Sequence, residues 1–177
     1  MPVSGSEERV LPVACLPLPA ATLDVAWRPL REDDLVSVAA LEAKIHAAPW
    51  TIGNFRDALA AGYAARIGER GPRIVAYGVL MLSPGEAQIL NLSVVADARR
   101  EGIGRALLRH FVDDARWLNA DQIFLEVRES NVAAIALYAA EGFTPVARRL
   151  AYYPAAADDA TREDALVMRR ALRATSR

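Results

Sequence analysis

The chain has 177 residues, a formal net charge of −1 and 53% apolar residues, which is enough for one domain with a sizeable core. The near-zero charge gives no sign of a nucleic-acid binder. One cysteine and two histidines exclude a disulfide framework and argue against a Cys/His metal site. No apolar run approaches the roughly eighteen residues that a membrane helix needs. We expect a cytoplasmic protein that binds no metal, no membrane and no nucleic acid directly.

The N-terminus contains an uncharged stretch, Val10–Leu23, that is similar in length to the core of a signal peptide. Two glutamates precede it where such a peptide carries basic residues, and three prolines within it disfavour a helix. We interpret residues 1–23 as a flexible extension, residues 24–172 as the folded domain and residues 173–177 as a short tail.

The first half of the chain predicts a strand, two helices and a three-stranded meander. Acidic residues at 32–34 favour a helix start, Thr51 favours the cap of the second helix and Gly62 favours its end. Turns are predicted at Gly68–Gly71 and Ser83–Gly85. The predicted elements are a strand at Val25–Leu30, helices from Leu35 to Ile45 and from Thr51 to Ala60, and strands at Tyr63–Ile67, Arg73–Leu82 and Glu86–Val95.

The second half predicts a long helix followed by a strand, a helix and two more strands. These elements are Ile103–Leu118, Gln122–Arg128, Val132–Glu141, Phe143–Arg149 and Ala165–Arg170, the last two joined by a polar loop through Asp158 and Asp159. The buried stripe predicted for the long helix is Leu107, Leu108, Phe111, Ala115 and Leu118, with His110 in solvent. The order indicates a mixed α/β domain around one sheet.

An arginine-rich turn with two glycines, Arg99–Gly104, joins the third meander strand to the long helix. Bare N–H groups at a helix start attract anions, and the glycines let a ligand approach the backbone. By itself the turn fits an ordinary connection equally well. It lacks the lysine of a Walker loop, and Leu107 stands where a dinucleotide fingerprint needs its third glycine. The free edge of the preceding strand is suited to pairing with an extended amide-bearing ligand.

The residues of this turn resemble a known signature. Arg99-x-x-Gly102-x-Gly104 is similar to the pyrophosphate motif of the GCN5-related N-acetyltransferases (GNAT), and Asn131-x-x-Ala134-x-x-Leu137-Tyr138-x-x-x-Gly142-Phe143 to their second signature. A narrower resemblance, to the RimI family, covers about residues 25–171 through Leu125–Tyr138, His46–Trp50, Tyr152–Pro154 and Arg162–Ala165. The chain departs from that family at Ala98, where a proline is usual, and at Leu150-Ala151, which separates a basic pair from the double tyrosine.

The resemblance implies a GNAT fold of the α/β class: a central, mostly antiparallel sheet with one parallel, splayed pair, flanked by helices. It implies an acetyl-CoA-dependent enzyme that acetylates the N-terminal alanine of a protein, as the RimI family does for a small-subunit ribosomal protein. The resemblance further implies that the amine attacks the acetyl group directly, in a ternary complex of enzyme, acetyl-CoA and acceptor. The expected partners are acetyl-CoA and a protein N-terminus, and the expected state is a monomer or weak dimer.

Three residues carry the implied chemistry. The strand position of Glu126 by itself favours a carboxylate paired with Arg128 on the same face. The resemblance instead implies a catalytic base, because the family's base falls at this position. Tyr138 falls at the position of the family's general acid, which protonates the leaving thiolate. Alternatively, Tyr138 anchors its helix to the sheet. Asn131 is expected near the coenzyme or as a helix N-cap.

The remaining site predictions concern binding. Backbone N–H groups of Leu92–Val94 are candidates to stabilise the thioester oxygen, helped by a bulge if the strand has one there. The residues expected at the coenzyme are Leu92, Ser93, Val94, Arg99, Arg100, Glu101, Gly102, Ile103, Gly104, Arg105, Asn131 and Tyr138. Those expected at the acceptor are His46, Trp50, Tyr152 and Tyr153. Alternatively, Trp50 fills the core under the first two helices, and His46 has a structural role only.

Other functions remain compatible with these residues. The chain is alternatively an acetyltransferase of lysine or of a small amine, or a coenzyme-binding sensor without catalysis. The presence of both Glu126 and Tyr138 disfavours the sensor. A nucleotide-phosphate binder is disfavoured by the missing Walker lysine.

Overall fold

The structure, a computed structural model, describes residues 24–154 and 162–173. The predicted N-terminal extension, the loop through Asp158 and Asp159, and most of the predicted tail lie outside these ranges.

The described ranges form seven strands and four helices in the predicted order. The elements are β1 Ala26–Pro29, α1 Leu35–Ile45, α2 Ile52–Ala60, β2 Ala64–Arg70, β3 Arg73–Ser83, β4 Glu86–Val94, α3 Ile103–Trp117, β5 Gln122–Arg128, α4 Val132–Ala140, β6 Thr144–Tyr153 and β7 Glu163–Ala171.

The strands form one sheet in the order β1-β2-β3-β4-β5-β7-β6. Neighbours are antiparallel except β4 and β5, which run parallel from Glu86↔Gln122 to Ile89↔Leu125 and then part. The insertion of β7 between β5 and β6 completes the sheet. The predicted mixed α/β class, with one parallel and splayed pair, is confirmed.

Two apolar clusters cover the two faces of the sheet. In β3, Ala76 belongs to the cluster of α3, whereas its neighbour Tyr77 belongs to the cluster of α1 and α2. This follows from the alternation of side chains along a strand. Phe111 and Leu107 of α3 are fully buried, and burial of each such side chain contributes about 1.5–3 kcal/mol.

The long helix α3 buries most of its predicted stripe, but Leu118 follows the helix and is half-buried. Asp114, next to this stripe, is buried against Arg66 of β2, with Nε 2.8 Å from Oδ2. Removal of either partner would leave a buried charge and cost about 3–5 kcal/mol. This ion pair therefore fixes α3 to the half of the sheet that precedes β4.

The predicted turn at Gly68–Gly71 is wrong, because β2 continues to Arg70 and the chain reverses at Gly71, where φ is +57°. Gly68 lies inside the strand, next to a bulge. A Cβ there would come within 2.7 Å of the Trp27 ring, so this glycine permits close packing rather than a turn.

Strand β6 is longer than predicted and ends at Tyr153. Tyr152 and Tyr153 therefore belong to the end of the strand, beyond the predicted limit at Arg149. The pairing with β7 is irregular between Arg149 and Tyr153, and Ala151 has a φ of +50°. At this end of an otherwise exposed edge strand, Tyr153 is half-buried and lies under Arg128 of β5.

His110 is packed rather than solvated, contrary to the sequence expectation. Its ring meets Trp27 edge-on at 5.0 Å, and its Nε2 is buried without a hydrogen-bond partner among the described residues. Burial, followed by the nearby Arg66, lowers the pKa of His110 to about 4, whereas Asp113 and Asp114 act in the opposite direction. The folded state therefore disfavours the imidazolium.

This predicts an acid-sensitive fold. The neutral His110 ring contributes its full stabilisation above the pKa of the unfolded state, about 6.5. This contribution is lost as the pH falls toward the pKa of the folded state, about 4. Replacement His110→Phe keeps the contact with Trp27 and removes the titration. We expect the decrease in the free energy of unfolding between pH 7.5 and pH 5, measured with urea, to be smaller in the variant by roughly 1 kcal/mol. An identical decrease in both proteins would contradict this explanation.

Candidate active site

The site begins where β4 and β5 part. Beyond the pair Ile89↔Leu125, β4 is bonded to β3 on one side only, so its other edge faces the opening. The register with β3 shifts at Leu90, which has no opposite residue. A bulge is therefore present, but two residues before the predicted Leu92–Val94.

The turn after β4 is built from left-handed residues. Arg100 has a φ of +69° and Gly102 a φ of +88°, and Gly102 precedes α3 without a side-chain cap. A Cβ at Gly102 would meet no atom within 4 Å, so the space in front of α3 is open. Uncapped N–H groups at a helix start suit an anion.

The side chains of the turn are held in different ways. Arg99 Nε donates to the Val94 carbonyl at 3.1 Å, Glu101 pairs with Arg70, and Arg105 pairs with Glu141. Ile103 is buried in the core, so only its backbone faces a ligand. At Gly104 a Cβ would be in ordinary contact with Val94 and Leu137, at 3.5 and 3.6 Å.

A cavity of about 180 Å³ lies in the opening between the parted strands. Its lining includes residues predicted to bind the coenzyme, to bind the acceptor and to act in catalysis. Four predicted parts of the site lie outside the lining: Ser93, Val94, Tyr152 and the turn. The predicted residues that line it are His46, Trp50, Leu92, Glu126, Asn131, Tyr138 and Tyr153, joined by Glu42, Ala48, Ile89, Leu90, Asn91, Leu125, Val127 and Arg128.

Glu126 faces this cavity because alternate residues of β5 are buried on the other face. Its side chain is 12% exposed, and its Oε1 lies 2.8 Å from Nε of Arg149. The suggested pair with Arg128 is not formed, since Arg128 pairs with Glu163 at 2.9 Å and lies 4.3 Å above the Tyr153 ring. The insertion of β7 brings these partners together, and local spacing does not encode it.

Tyr138 reaches the cavity from α4, and only 7% of the residue is exposed. Burial, with a smaller contribution from Tyr153, raises the pKa of Tyr138, so the hydroxyl keeps its proton at neutral pH. Its ring lies 6.0 Å from Phe143, which fits the suggested anchoring role as well. Asn131 caps α4, with Oδ1 accepting from the Ala134 N–H at 3.2 Å, and it also lines the cavity.

The aromatic residues near the cavity differ in burial. Trp50 packs against Phe55 at 5.2 Å, as a residue that fills the core does, and it also lines the cavity. Burial raises the pKa of Tyr153 to about 12. Tyr152 is 41% exposed, and a hydrogen bond to Glu126 is the main cause that raises the pKa of Tyr152.

A buried polar cluster around Glu42 was missed from the sequence. Glu42 is 2% exposed and accepts hydrogen bonds from the Tyr77 hydroxyl at 2.7 Å, Asn91 Nδ2 at 3.1 Å and the Trp50 N–H at 3.2 Å. His46 Nε2 lies 3.5 Å from it. The spacing of four residues between Glu42 and His46, at the end of a predicted helix, was the available signal.

The same cluster includes Ser93. His46 Nε2 is 2.7 Å from Ser93 Oγ, which donates to Asn91 Oδ1 at 3.1 Å. Ser93 therefore supports the cavity wall at His46, without lining the cavity.

The described residues contain no group of three or more His, Cys, Asp and Glu side chains arranged to hold a metal. Within the described ranges, no helix has the length and apolar character needed to cross a membrane.

Residues 25–143 match the Acetyltransferase (GNAT) family. The ribosomal protein bS18-alanine N-acetyltransferase of Escherichia coli is 34% identical over 78% of this chain and 92% of its own length. The N-alpha-acetyltransferase RimI of Mycobacterium tuberculosis is 35% identical over 80% of this chain and 92% of its own length.

The crystal structure of the ribosomal-protein-S18-alanine N-acetyltransferase from Escherichia coli superposes with a TM-score of 0.78 at 32% identity, covering 86% of this chain and 96% of that chain. The cavity between the parted strands and the nearby glycine turn thus occur in a chain that its sequence and its fold both assign to the same family. The chain belongs to the GNAT family of acetyltransferases.

Proposed function

We propose that this enzyme transfers the acetyl group of acetyl-CoA to the N-terminal α-amine of a protein, an alanine of a small-subunit ribosomal protein. The main support is the cavity that holds Glu126 and Tyr138 beside the free edge of β4. The similarity to alanine N-acetyltransferases along most of the chain supports the acceptor. A ribosomal acceptor is consistent with the expected cytoplasmic location.

The coenzyme is bound by backbone rather than by a cationic cage. N–H groups at the start of α3 hold the pyrophosphate, while Arg100 adds positive charge at the turn. The free edge of β4 at Leu92–Val94 receives the amide-bearing arm and offers N–H groups to the thioester oxygen. The thioester then lies in the opening between β4 and β5.

The nature of the acceptor limits how strong a base is needed. At pH 7 an α-amine loses its proton at a cost of roughly 1–1.4 kcal/mol, against about 4.6 kcal/mol for a lysine. Glu126 serves as a base for the acceptor nitrogen, and the acceptor releases Glu126 from Arg149 as the substrate amine approaches the carboxylate. A weakly activated site of this kind suits an α-amine better than a lysine.

Transfer is direct, within a ternary complex. The described residues that line the cavity include no cysteine, serine or threonine to carry an acetyl group. The amine nitrogen attacks the thioester carbon, the C–S bond breaks, and the Tyr138 hydroxyl donates to the departing sulfur. Since a thiol pKa is near 8.5, the sulfur needs little assistance. Loss of the Tyr138 hydroxyl is therefore less costly than loss of the base.

The proposed acceptor can be tested with a peptide that begins Ala-Arg and carries one internal lysine. We expect acetylation at the α-amine only, located by fragmentation in mass spectrometry, and no reaction when the α-amine is blocked. Intact masses of ribosomal proteins from cells with and without the chain identify the natural acceptor. Preference for the lysine or for small amines, or coenzyme binding without turnover, would reject the proposal.

The role of Glu126 predicts the effect of Glu126→Gln. Turnover should fall about 10²–10⁴-fold, the usual contribution of a general base, while the affinity for acetyl-CoA remains unchanged. Glu69→Gln is a matched control, because Glu69 is an ion-paired carboxylate of strand β2 that does not line the cavity. Unchanged turnover of Glu126→Gln near neutral pH would remove Glu126 from the mechanism.

The role of the turn predicts the effect of Gly102→Val. The side chain would enter the open space in front of α3 and raise the KM for acetyl-CoA about tenfold or more, equivalent to a loss of about 1.4 kcal/mol of binding. Gly62→Val controls for backbone strain, because Gly62 has a φ of +76° and an equally open surround. Equal KM values in the two variants would argue against an anion site at this turn.

A further inference from the structure

The hydrogen bonds around Glu42 fix the tautomer of His46. A carboxylate only accepts, so Asn91 must present its NH₂ group to Glu42 and its oxygen to Ser93. Ser93 therefore donates its single proton to Asn91, and its oxygen must accept from His46 Nε2. This leaves Nδ1 as the acceptor atom of the neutral ring.

His46 is placed to gain and lose a proton. Its side chain is 40% exposed and lines the cavity that contains Glu126. Burial is the main cause that lowers the pKa of His46. Arg99 and Arg128 lower it further, and Glu42 raises it. The ring is therefore neutral near pH 7 and able to accept.

Glu42 supplies the opposite charge for a protonated ring. Its Oε2 lies 3.5 Å from Nε2, and among the described residues His46 is its one basic partner within ion-pair distance. Three fixed donors hold Glu42 in place, so it is oriented before any proton arrives. Burial strengthens the interaction, because screening by water is weak there.

These contacts do not form a nucleophilic triad. In a triad the two ring nitrogens face different partners, whereas here Nε2 faces both Ser93 and Glu42. Ser93 is 3% exposed and its proton is directed to Asn91. The cluster is suited to moving a proton, not to activating Ser93.

The proposed reaction needs two proton acceptors. An α-ammonium loses one proton before it attacks, and the nitrogen loses a second as the amide forms. One of these protons ends on the departing sulfur and the other leaves to water. An imidazole, with an ordinary pKa near 6.5, matches an amine of about 7.7–8.0 more closely than a carboxyl near 4.3.

We propose that His46 is a catalytic residue that takes the first of these protons. The N–H bond of the substrate ammonium breaks, its electron pair stays on nitrogen, and the proton moves to Nδ1. Glu42 is a positioning residue that stabilises the imidazolium, and Glu126 takes the second proton. The ring, whose side chain is 40% exposed, returns its proton to water, and the proton on Glu126 replaces the one that Tyr138 gave to the sulfur. This inference rests on the proposed amine substrate.

The tautomer is tested first, without a substrate. The chain has two histidines, so ¹⁵N-histidine labelling of the tag-free protein gives two ring systems, and His110→Gln assigns them. We expect His46 as the Nε2–H tautomer with a pKa below 6.5, and a still lower pKa in Glu42→Gln. An Nδ1–H tautomer, or a pKa unaffected by Glu42→Gln, would overturn the inference.

The catalytic role is tested by His46→Gln, which keeps an amide donor for Ser93 but has no titratable atom. We expect kcat to fall about 10²–10⁴-fold, with KM for the peptide, affinity for acetyl-CoA and thermal stability near those of the wild type. The acidic limb of kcat/KM against pH should lose the contribution of His46 and keep only that of the substrate amine, which must still lose a proton. In Glu42→Gln that limb should move to lower pH, and in the matched control His110→Gln it should stay in place.

The outcome is separable from that of the proposed function. If the wild-type enzyme acetylates lysine or a small amine, the proposed acceptor is wrong, and the same pH profile on that amine still decides the role of His46. Wild-type kcat and an unchanged acidic limb in His46→Gln would overturn the inference. A loss of kcat that only follows lost stability would also overturn it.

Discussion

The parting of β4 and β5 after Ile89↔Leu125 is the constraint on which the site depends. A sheet that opens leaves backbone N–H and C=O groups without partners, which is costly unless a ligand or water meets them. The opening is maintained from both sides. Strand β3 holds β4 through the bulge at Leu90, and β7 holds β5 along its whole length. The unpaired edge that results is what an extended, amide-bearing coenzyme arm requires.

Two carboxylates lie in this opening, and each is restrained by a different means. Glu126 is held by Arg149, a half-exposed side chain of the edge strand, so an incoming ammonium can replace its partner. Glu42 is held by donors from β3, β4 and the segment after α1, none of which is free to leave. The first arrangement suits a group that must contact the acceptor, and the second suits a fixed charge that acts through its neighbour.

The parts of the fold that depend on local periodicity could be predicted from the sequence. The stripe of α3 and the alternation of β5 follow from spacing, and the cap at Asn131 follows from residue type. Gly68 was misread because its role is close packing against Trp27, which a local pattern does not show. The pairing of Glu126 with Arg149 was also beyond local patterns. It depends on β7 entering the sheet between β5 and β6, a long-range event that brings together residues 23 positions apart.

The missed cluster explains why the segment after α1 is fit to form a wall of the site. Helix α1 ends at Ile45, where the His46 N–H donates to the Glu42 carbonyl, and the Glu42 side chain then binds the N–H of Trp50. The helix ends there because the backbone of His46 is extended, with φ −118° and ψ 136°, and the Glu42 side chain fixes the far end of the following turn. Trp50 is further immobilised against Phe55, so the wall is rigid before any acceptor binds. Because binding then requires little ordering of this wall, the energy of recognising an acceptor remains available for placing its nitrogen against the thioester.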